Sequence, residues 1–223
     1  MRTHIKYHVK KYYPIIILCG MLLILYTDVL CAGYVAGWQE NMEAVRHIQE
    51  GLQEQGADRL TANLIREAGY FPVRGDLKHA SEIWGFDDGY GEGRTYGGSR
   101  KHEGIDIMAV HAGAGRLKVQ SVSNGTVEQM GWLELGGYRI GIRSASGIYY
   151  YYAHLDHYAS GLQKGDKVQA GQLLGYMGDT GYGEEGTRGR FPVHLHFGIY
   201  YDRDGEERSV DPYFLLRYLE KKK

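Results

Sequence analysis

The chain has 223 residues and a formal net charge of −1, which leaves room for one domain plus an N-terminal extension and excludes a large basic field for nucleic acid. Glycine, at 33 residues, stands at about twice its usual share, as many tight turns between short strands require; tyrosine, at 20, points to strand tyrosines in a core or along a groove. Both cysteines, Cys19 and Cys31, lie near the N-terminus, so the rest of the chain relies on neither disulfides nor thiol chemistry.

Arg2, Lys6, Lys10 and Lys11 precede the apolar run Pro14–Leu25. That run has the length of a signal-peptide core and falls short of the ~20 residues of a spanning helix. Small residues follow at Ala32, Gly33, Ala36 and Gly37. Residues 1–37 are therefore expected to be a signal peptide or an N-terminal membrane anchor, with the basic end inside and the domain outside. Leu30 is not the small residue that normally precedes a lipid-modified cysteine, which argues against lipidation of Cys31. Next, Trp38, Met42, Val45, Ile48 and Leu52 recur at steps of three and four, predicting a helical arm over 38–70. Gly56 interrupts it, Asp58 is placed to cap a second short helix carrying Leu60, Leu64 and Ile65, and Gly69 is placed to end it. The arm reads as a hairpin covering an edge of a domain that spans 71–223.

The remainder reads as strands and turns. Val119–Val122 followed by Asn124–Gly125 gives a hairpin signal. Tyr138–Arg143 and Ile148–His154, joined by Ser144–Gly147, read as strands, the second with Tyr150, Tyr152 and His154 on one face. Val168–Leu174 and the segment around His194 supply further strands, and Lys221–Lys223 reads as a frayed tail. The expected fold class is an all-β core of short antiparallel strands forming a groove over a zinc site, preceded by a short helical segment.

The chemistry lies in five residues. His102-Glu103-Gly104-Ile105-Asp106 sets a histidine and a carboxylate four positions apart, and His194-Leu195-His196 sets two histidines on one face of a strand with Leu195 turned to the core. Between them stands Tyr152-Ala153-His154-Leu155. A catalytic zinc takes three protein ligands and leaves a position open, so a His, Asp, His set would leave two histidines for proton transfer. Glu103 follows the first histidine, as the base does in His-Glu-x-x-His peptidases, but the position of the second histidine is Asp106. Glu103 is read instead as a surface residue or a neighbour of the site.

These residues resemble those of the lysostaphin/LytM-type zinc metallopeptidases. Supporting matches are Phe71-Pro72-Val73, Asn124-Gly125-Thr126-Val127, Lys164-Gly165-Asp166-Lys167-Val168, Gly175, Gly178, Gly181 and Val210-Asp211-Pro212, so the resemblance runs from Phe71 to Tyr213. It implies a murein endopeptidase of duplicated-hybrid-motif fold, with zinc on His102, Asp106 and His196 and with His154 and His194 as the acid–base pair. It also implies a peptidoglycan peptide as substrate and action outside the cytoplasm, secreted or membrane-attached. Two further readings stay open: a zinc-binding scaffold or activator of the same fold, and a zinc peptidase with a non-wall protein substrate. The link Tyr182–Val193 is longer than in many such proteins, and Trp84–Lys101 is atypically charged. Both are expected to border the groove.

Overall fold

The computed structural model describes residues 58–74, 83–96 and 98–222, with 23, 24, 26–33, 35, 39 and 46. Residues 1–43 and 44–223 form two compact units. In the first, residues 26–33 are helical and Cys31 is exposed. No helix among the described residues is long and apolar enough to cross a membrane. Most of the apolar run, and the arm residues Trp38, Met42, Val45, Ile48 and Leu52, lie outside the described residues.

The second unit holds helix α1 (Asp58–Glu67), strands β1 (Trp84–Gly85), β2 (Gly93–Arg94), β3 (Arg100–Lys101), β4 (Ile105–Ala109), β5 (Lys118–Gln120), β6 (Gly125–Leu133), β7 (Gly137–Arg143), β8 (Tyr149–Tyr158), β9 (Lys167–Val168), β10 (Leu173–Met177), β11 (His194–Arg203) and β12 (Glu206–Val210), and helix α2 (Tyr213–Lys221). Ten strands form one antiparallel sheet in the order β1-β4-β11-β8-β7-β6-β9, with β12 on β11 and β10 joining β8 to β5. The two remaining strands, β2 and β3, make a small ribbon. The expected all-β antiparallel core behind a short helix is present.

Alternation builds the core. Ile105 and Ile107 on β4, Leu195, Phe197 and Ile199 on β11, and Tyr150 and Tyr152 on β8 are all completely buried. Each such side chain stabilises the fold by about 1.5–3 kcal/mol relative to exposure. The Tyr152 hydroxyl accepts the Val122 N–H at 2.9 Å, which satisfies a polar atom that burial would otherwise leave costly. Trp84 stacks on Phe71 with centroids 5.1 Å apart, and Leu60 and Leu64 of α1, with Ala68 just after it, join the same cluster.

Four expectations need correcting. Asn124–Gly125 does not close a hairpin, because β5 pairs with β10 and β6 pairs with β7 and β9. It turns a corner instead: Asn124 Oδ1 accepts the Ala170 N–H at 2.8 Å, and a Cβ on Gly125 would lie 2.6 Å from the Arg143 carbonyl oxygen. Val168–Leu174 is split between β9 and β10 by a turn in which Gly171 has φ +81°. Gly69 follows α1 but is absent from the positive-φ set and donates to Val122 O rather than closing the helix. Finally, the tail is not frayed at Lys221 and Lys222, the first ending a helix and the second capping it. Leu215, Leu216 and Leu219 of α2 are buried, and Lys222 Nζ donates to the Ala68 carbonyl at 3.1 Å.

Candidate functional site

Strand register brings the central residues together. On β11 and β4, His196 stands opposite Asp106, so their side chains emerge side by side on the groove face. His102 precedes β4 and is buried. Its Nδ1–H donates to Gly89 O at 2.8 Å, which turns Nε2 inward. That nitrogen lies 3.0 Å from Asp106 Oδ1 and 2.9 Å from His196 Nδ1, and His196 Nδ1 is itself 3.0 Å from Asp106 Oδ1. Gly104 permits this packing, since a Cβ there would sit 2.6 Å from Phe197 O and 2.7 Å from His196 Cε1.

These three side chains could hold a metal ion, their donor atoms lying within 4.8 Å of one another. Two imidazole nitrogens and one carboxylate oxygen form a donor set that suits zinc. The two inward ring nitrogens stand at hydrogen-bond distance, a separation that calls for a shared proton or a cation between them. Burial raises the Asp106 carboxyl, but hydrogen bonds from His102 and His196 outweigh it and hold the group well below the usual carboxylate range. The ionised carboxylate is thus the favoured form of Asp106. Arg94, carried by β2, donates from Nη2 to Asp106 Oδ2 at 3.2 Å and pairs with Glu92.

His154 and His194 stand beside this triad. Each donates its Nδ1–H to a backbone carbonyl, His154 to Thr180 O and His194 to Pro192 O, both at 2.8 Å. Each therefore presents an unprotonated Nε2, and their ring centroids are 4.7 Å apart. His194 Nε2 stops 3.7 Å from Asp106 Oδ1, close to the triad without joining it. Burial pushes both imidazoles below the usual histidine range, assisted at His154 by neighbouring histidines and opposed at His194 by Asp106. Both rings are thereby kept neutral, each with an Nε2 lone pair open to a proton.

The placement of His154 differs from the expected alternation. Tyr138 pairs with Leu155 and Ile140 with Tyr152, so β8 carries one extra residue there, a β-bulge. His154 takes the left-handed conformation, φ +60°, at a cost of about 1–3 kcal/mol for a non-glycine residue. The bulge turns His154 onto the groove face with Tyr149, Tyr151 and Ala153, while Tyr150 and Tyr152 stay in the core.

The groove, about 640 Å³, is lined by all five residues together with Arg94, Arg100 and Lys101 from the charged segment and Tyr182 from the long link. Both segments border it as expected. Tyr182 stacks on Tyr96 at 4.2 Å and receives the Arg100 guanidinium at 3.4 Å. Arg188 pairs with Asp156 rather than facing the groove. Glu103 is exposed at the rim and bonds neither histidine nor Asp106. Sequence reasoning missed Phe191, whose ring meets His154 at 4.5 Å and His194 at 5.0 Å. It also missed Tyr151, edge-on to His196 at 5.9 Å; the run of four tyrosines was the available signal.

The model of peptidase family M23 matches residues 100–212. An L-Ala–D-Glu endopeptidase of Bacillus subtilis (strain 168) is 45% identical over 150 residues, covering 67% of this chain and 43% of its own. The glycyl-glycine endopeptidase ALE-1 of Staphylococcus capitis is 30% identical over 144 residues, covering 62% of this chain and 36% of its own. The chain thus spans less than half the length of these curated relatives. The crystal structure of a candidate glycyl-glycine endopeptidase, LytM, from Ruminococcus gnavus ATCC 29149 superposes with a TM-score of 0.66 at 44% identity, covering 78% of this chain and 72% of that one.

Proposed function

The chain belongs to peptidase family M23, and from that premise we propose that it is a zinc endopeptidase hydrolysing peptide bonds in the stems or cross-links of bacterial peptidoglycan. The observation that carries the reading is the convergence of His102, Asp106 and His196 beside two histidines with free, unprotonated Nε2 atoms. Relatives named for L-Ala–D-Glu and glycyl-glycine bonds are both endopeptidases, which supports a wall peptide as substrate. Export through residues 1–37, followed by the arm 38–70 and the peptidase domain 71–223, fits such a substrate.

His102, Asp106 and His196 would hold the zinc. When bound, zinc polarises the scissile carbonyl and lowers the pKa of water towards about 7. The chain's own contribution is proton transfer and positioning. Nε2 of His154 or His194 takes the proton of the attacking water, and the protonated imidazole then delivers one to the leaving amine. The Nδ1 bonds to Thr180 O and Pro192 O fix the tautomers this requires. An imidazolium formed on either ring faces the reacting centre and stabilises negative charge developing on the carbonyl oxygen. Phe191 covers both rings and limits their access to bulk water, which strengthens these interactions.

Digestion of purified sacculi with mass analysis of the released fragments tests the reading. A new amino terminus within a stem or cross-bridge is the expected result. Zinc-loaded protein that releases no fragment would favour the scaffold reading, and cleavage of non-wall proteins alone would reassign the substrate.

A further inference from the structure

The two carboxylate oxygens of Asp106 are divided between two sets of partners. Oδ1 stands 3.0 Å from His102 Nε2 and 3.0 Å from His196 Nδ1. Oδ2 accepts a hydrogen bond from Arg94 Nη2 at 3.2 Å. The same guanidinium nitrogen packs 3.0 Å from His102 Nδ1, so Arg94 touches two of the three proposed ligands. Its Nη1 donates at 3.0 Å to the carboxylate of Glu92, which is exposed.

Backbone pairing holds Arg94 there. The ribbon sets Arg94 opposite Arg100 and runs on to the histidine itself: the His102 N–H donates to Glu92 O and the Gly91 N–H to His102 O, both at 2.8 Å. Gly89 O accepts the ring N–H of His102. Residues 89–94 thus fix one proposed ligand through its backbone and ring, and a second through Arg94. A carboxylate can bind a cation through one oxygen or both. In a catalytic site the difference matters, because the second oxygen competes for the position that water or substrate needs. A cation beside a metal also repels it, but Glu92 offsets the guanidinium charge, so orientation outweighs repulsion.

We propose that Arg94 is a positioning residue: it engages Asp106 Oδ2 and so restricts the carboxylate to one-oxygen binding of the metal, which keeps a coordination position open. This rests on the reading of His102, Asp106 and His196 as the metal site and is independent of which peptide is cut. Partners that orient metal ligands typically contribute about 10–100-fold to metal affinity.

The test compares the full chain with two variants. Arg94→Met keeps the apolar stem and removes every donor, whereas Arg94→Lys keeps the charge and a donor. Each protein is stripped of metal and titrated with zinc against a competing chelator, then with cobalt(II), whose d–d absorption weakens as coordination expands from four to five. Arg94→Met should bind zinc at least about tenfold more weakly and give a weaker cobalt spectrum than the wild type, and Arg94→Lys should recover part of both. If either readout is unchanged in Arg94→Met, or if zinc binds more tightly, the proposal is overturned. Weaker zinc with an unchanged cobalt spectrum would leave Arg94 a merely structural role, and unchanged metal binding with a raised KM would make it a substrate contact. A wild type that takes up no zinc fails the metal reading itself and removes the proposal with it, so the two failures are told apart.

Discussion

Replacing Gly104 by alanine adds a single methyl group at the most crowded point of the site. The new Cβ would stand 2.6 Å from Phe197 O, 2.7 Å from His196 Cε1 and 2.8 Å from His196 Nε2. Restoring an ordinary contact of 3.4 Å to that oxygen requires a movement of 3.4 − 2.6, or about 0.8 Å. The obstacle is a strand backbone paired on both edges and the ring of a proposed ligand, not the end of a flexible side chain. Overpacking of this kind costs about 1–3 kcal/mol. The larger effect falls on the metal, because a displaced His196 no longer presents Nδ1 at the point shared with His102 and Asp106. Perturbing the groups that orient ligands typically costs about 10–100-fold in metal affinity, and Gly104→Ala should show a loss of at least that order. Competition with a chromogenic zinc chelator measures it directly, with thermal unfolding recorded alongside to separate the fold from the site. If Gly104→Ala binds zinc as tightly as the wild type and turns over wall peptide at the same rate, the three side chains are not the metal site.

Asp106→Ala removes the anionic member of the triad and should abolish stoichiometric zinc, and elemental analysis showing full occupancy would contradict its role. His154→Ala and His194→Ala should each retain zinc and fold yet lose about 10²–10⁴-fold in turnover; loss of zinc in either would redraw the division between ligands and proton carriers. Shortening the link between Gly183 and Arg190, with Thr180 and Pro192–Phe197 kept, should leave zinc binding intact and change the products from a panel of defined muropeptides, an unchanged profile marking the loop as passive. Asp211 offers a pH test away from the site: burial first, with Asp88 adding to it against the Tyr213 N–H, pushes its carboxyl from 3.8 up to about 6. A raised carboxyl favours the folded state most below pH ~4, and that stability is lost as pH rises through 6. Asp211→Asn keeps the acceptor for Tyr213 and should be more stable than the wild type above pH 6, by about 1–2 kcal/mol once partial exposure is discounted. The difference should vanish near pH 4 in parallel melts, and a constant gap would refute the assignment.

The triad was legible because strands write their faces into sequence with period two. His194 and His196 flank buried Leu195, and Asp106 lies between buried Ile105 and Ile107, so the residues facing the groove could be read directly. The bulge at His154 could not be read, since one extra residue leaves no mark at Ala153-His154, just past the four tyrosines, and reverses the assignment from there on. Asn124–Gly125 misled because its turn chemistry suits a corner as well as a hairpin, and the strand partners are set by distant residues. The helix α2 was missed because Phe214-Leu215-Leu216 is a short apolar run whose period is ambiguous. Arg94 reaches Asp106 only through the ribbon of β2 and β3, a juxtaposition that no spacing along the chain encodes.

The carbonyls that orient His154 and His194 belong to Thr180 and Pro192, the two ends of one loop. The Thr180 end is locked, its hydroxyl donating to Leu155 O at 2.7 Å and accepting from the Tyr138 N–H at 3.1 Å. The two imidazoles proposed as proton carriers, though drawn from different strands, therefore answer to a single segment, which near its Thr180 end carries Tyr182 into the groove. On the proposed mechanism, substrate seating and proton transfer are mechanically linked, since a peptide that displaces this segment would disturb both imidazoles together. A misplacement of about 1 Å can cost 10²-fold in rate, so an ill-fitting peptide is penalised in the chemical step even after it has bound. Fidelity of this kind survives changes in the span between the two ends, and fails when either end is lost.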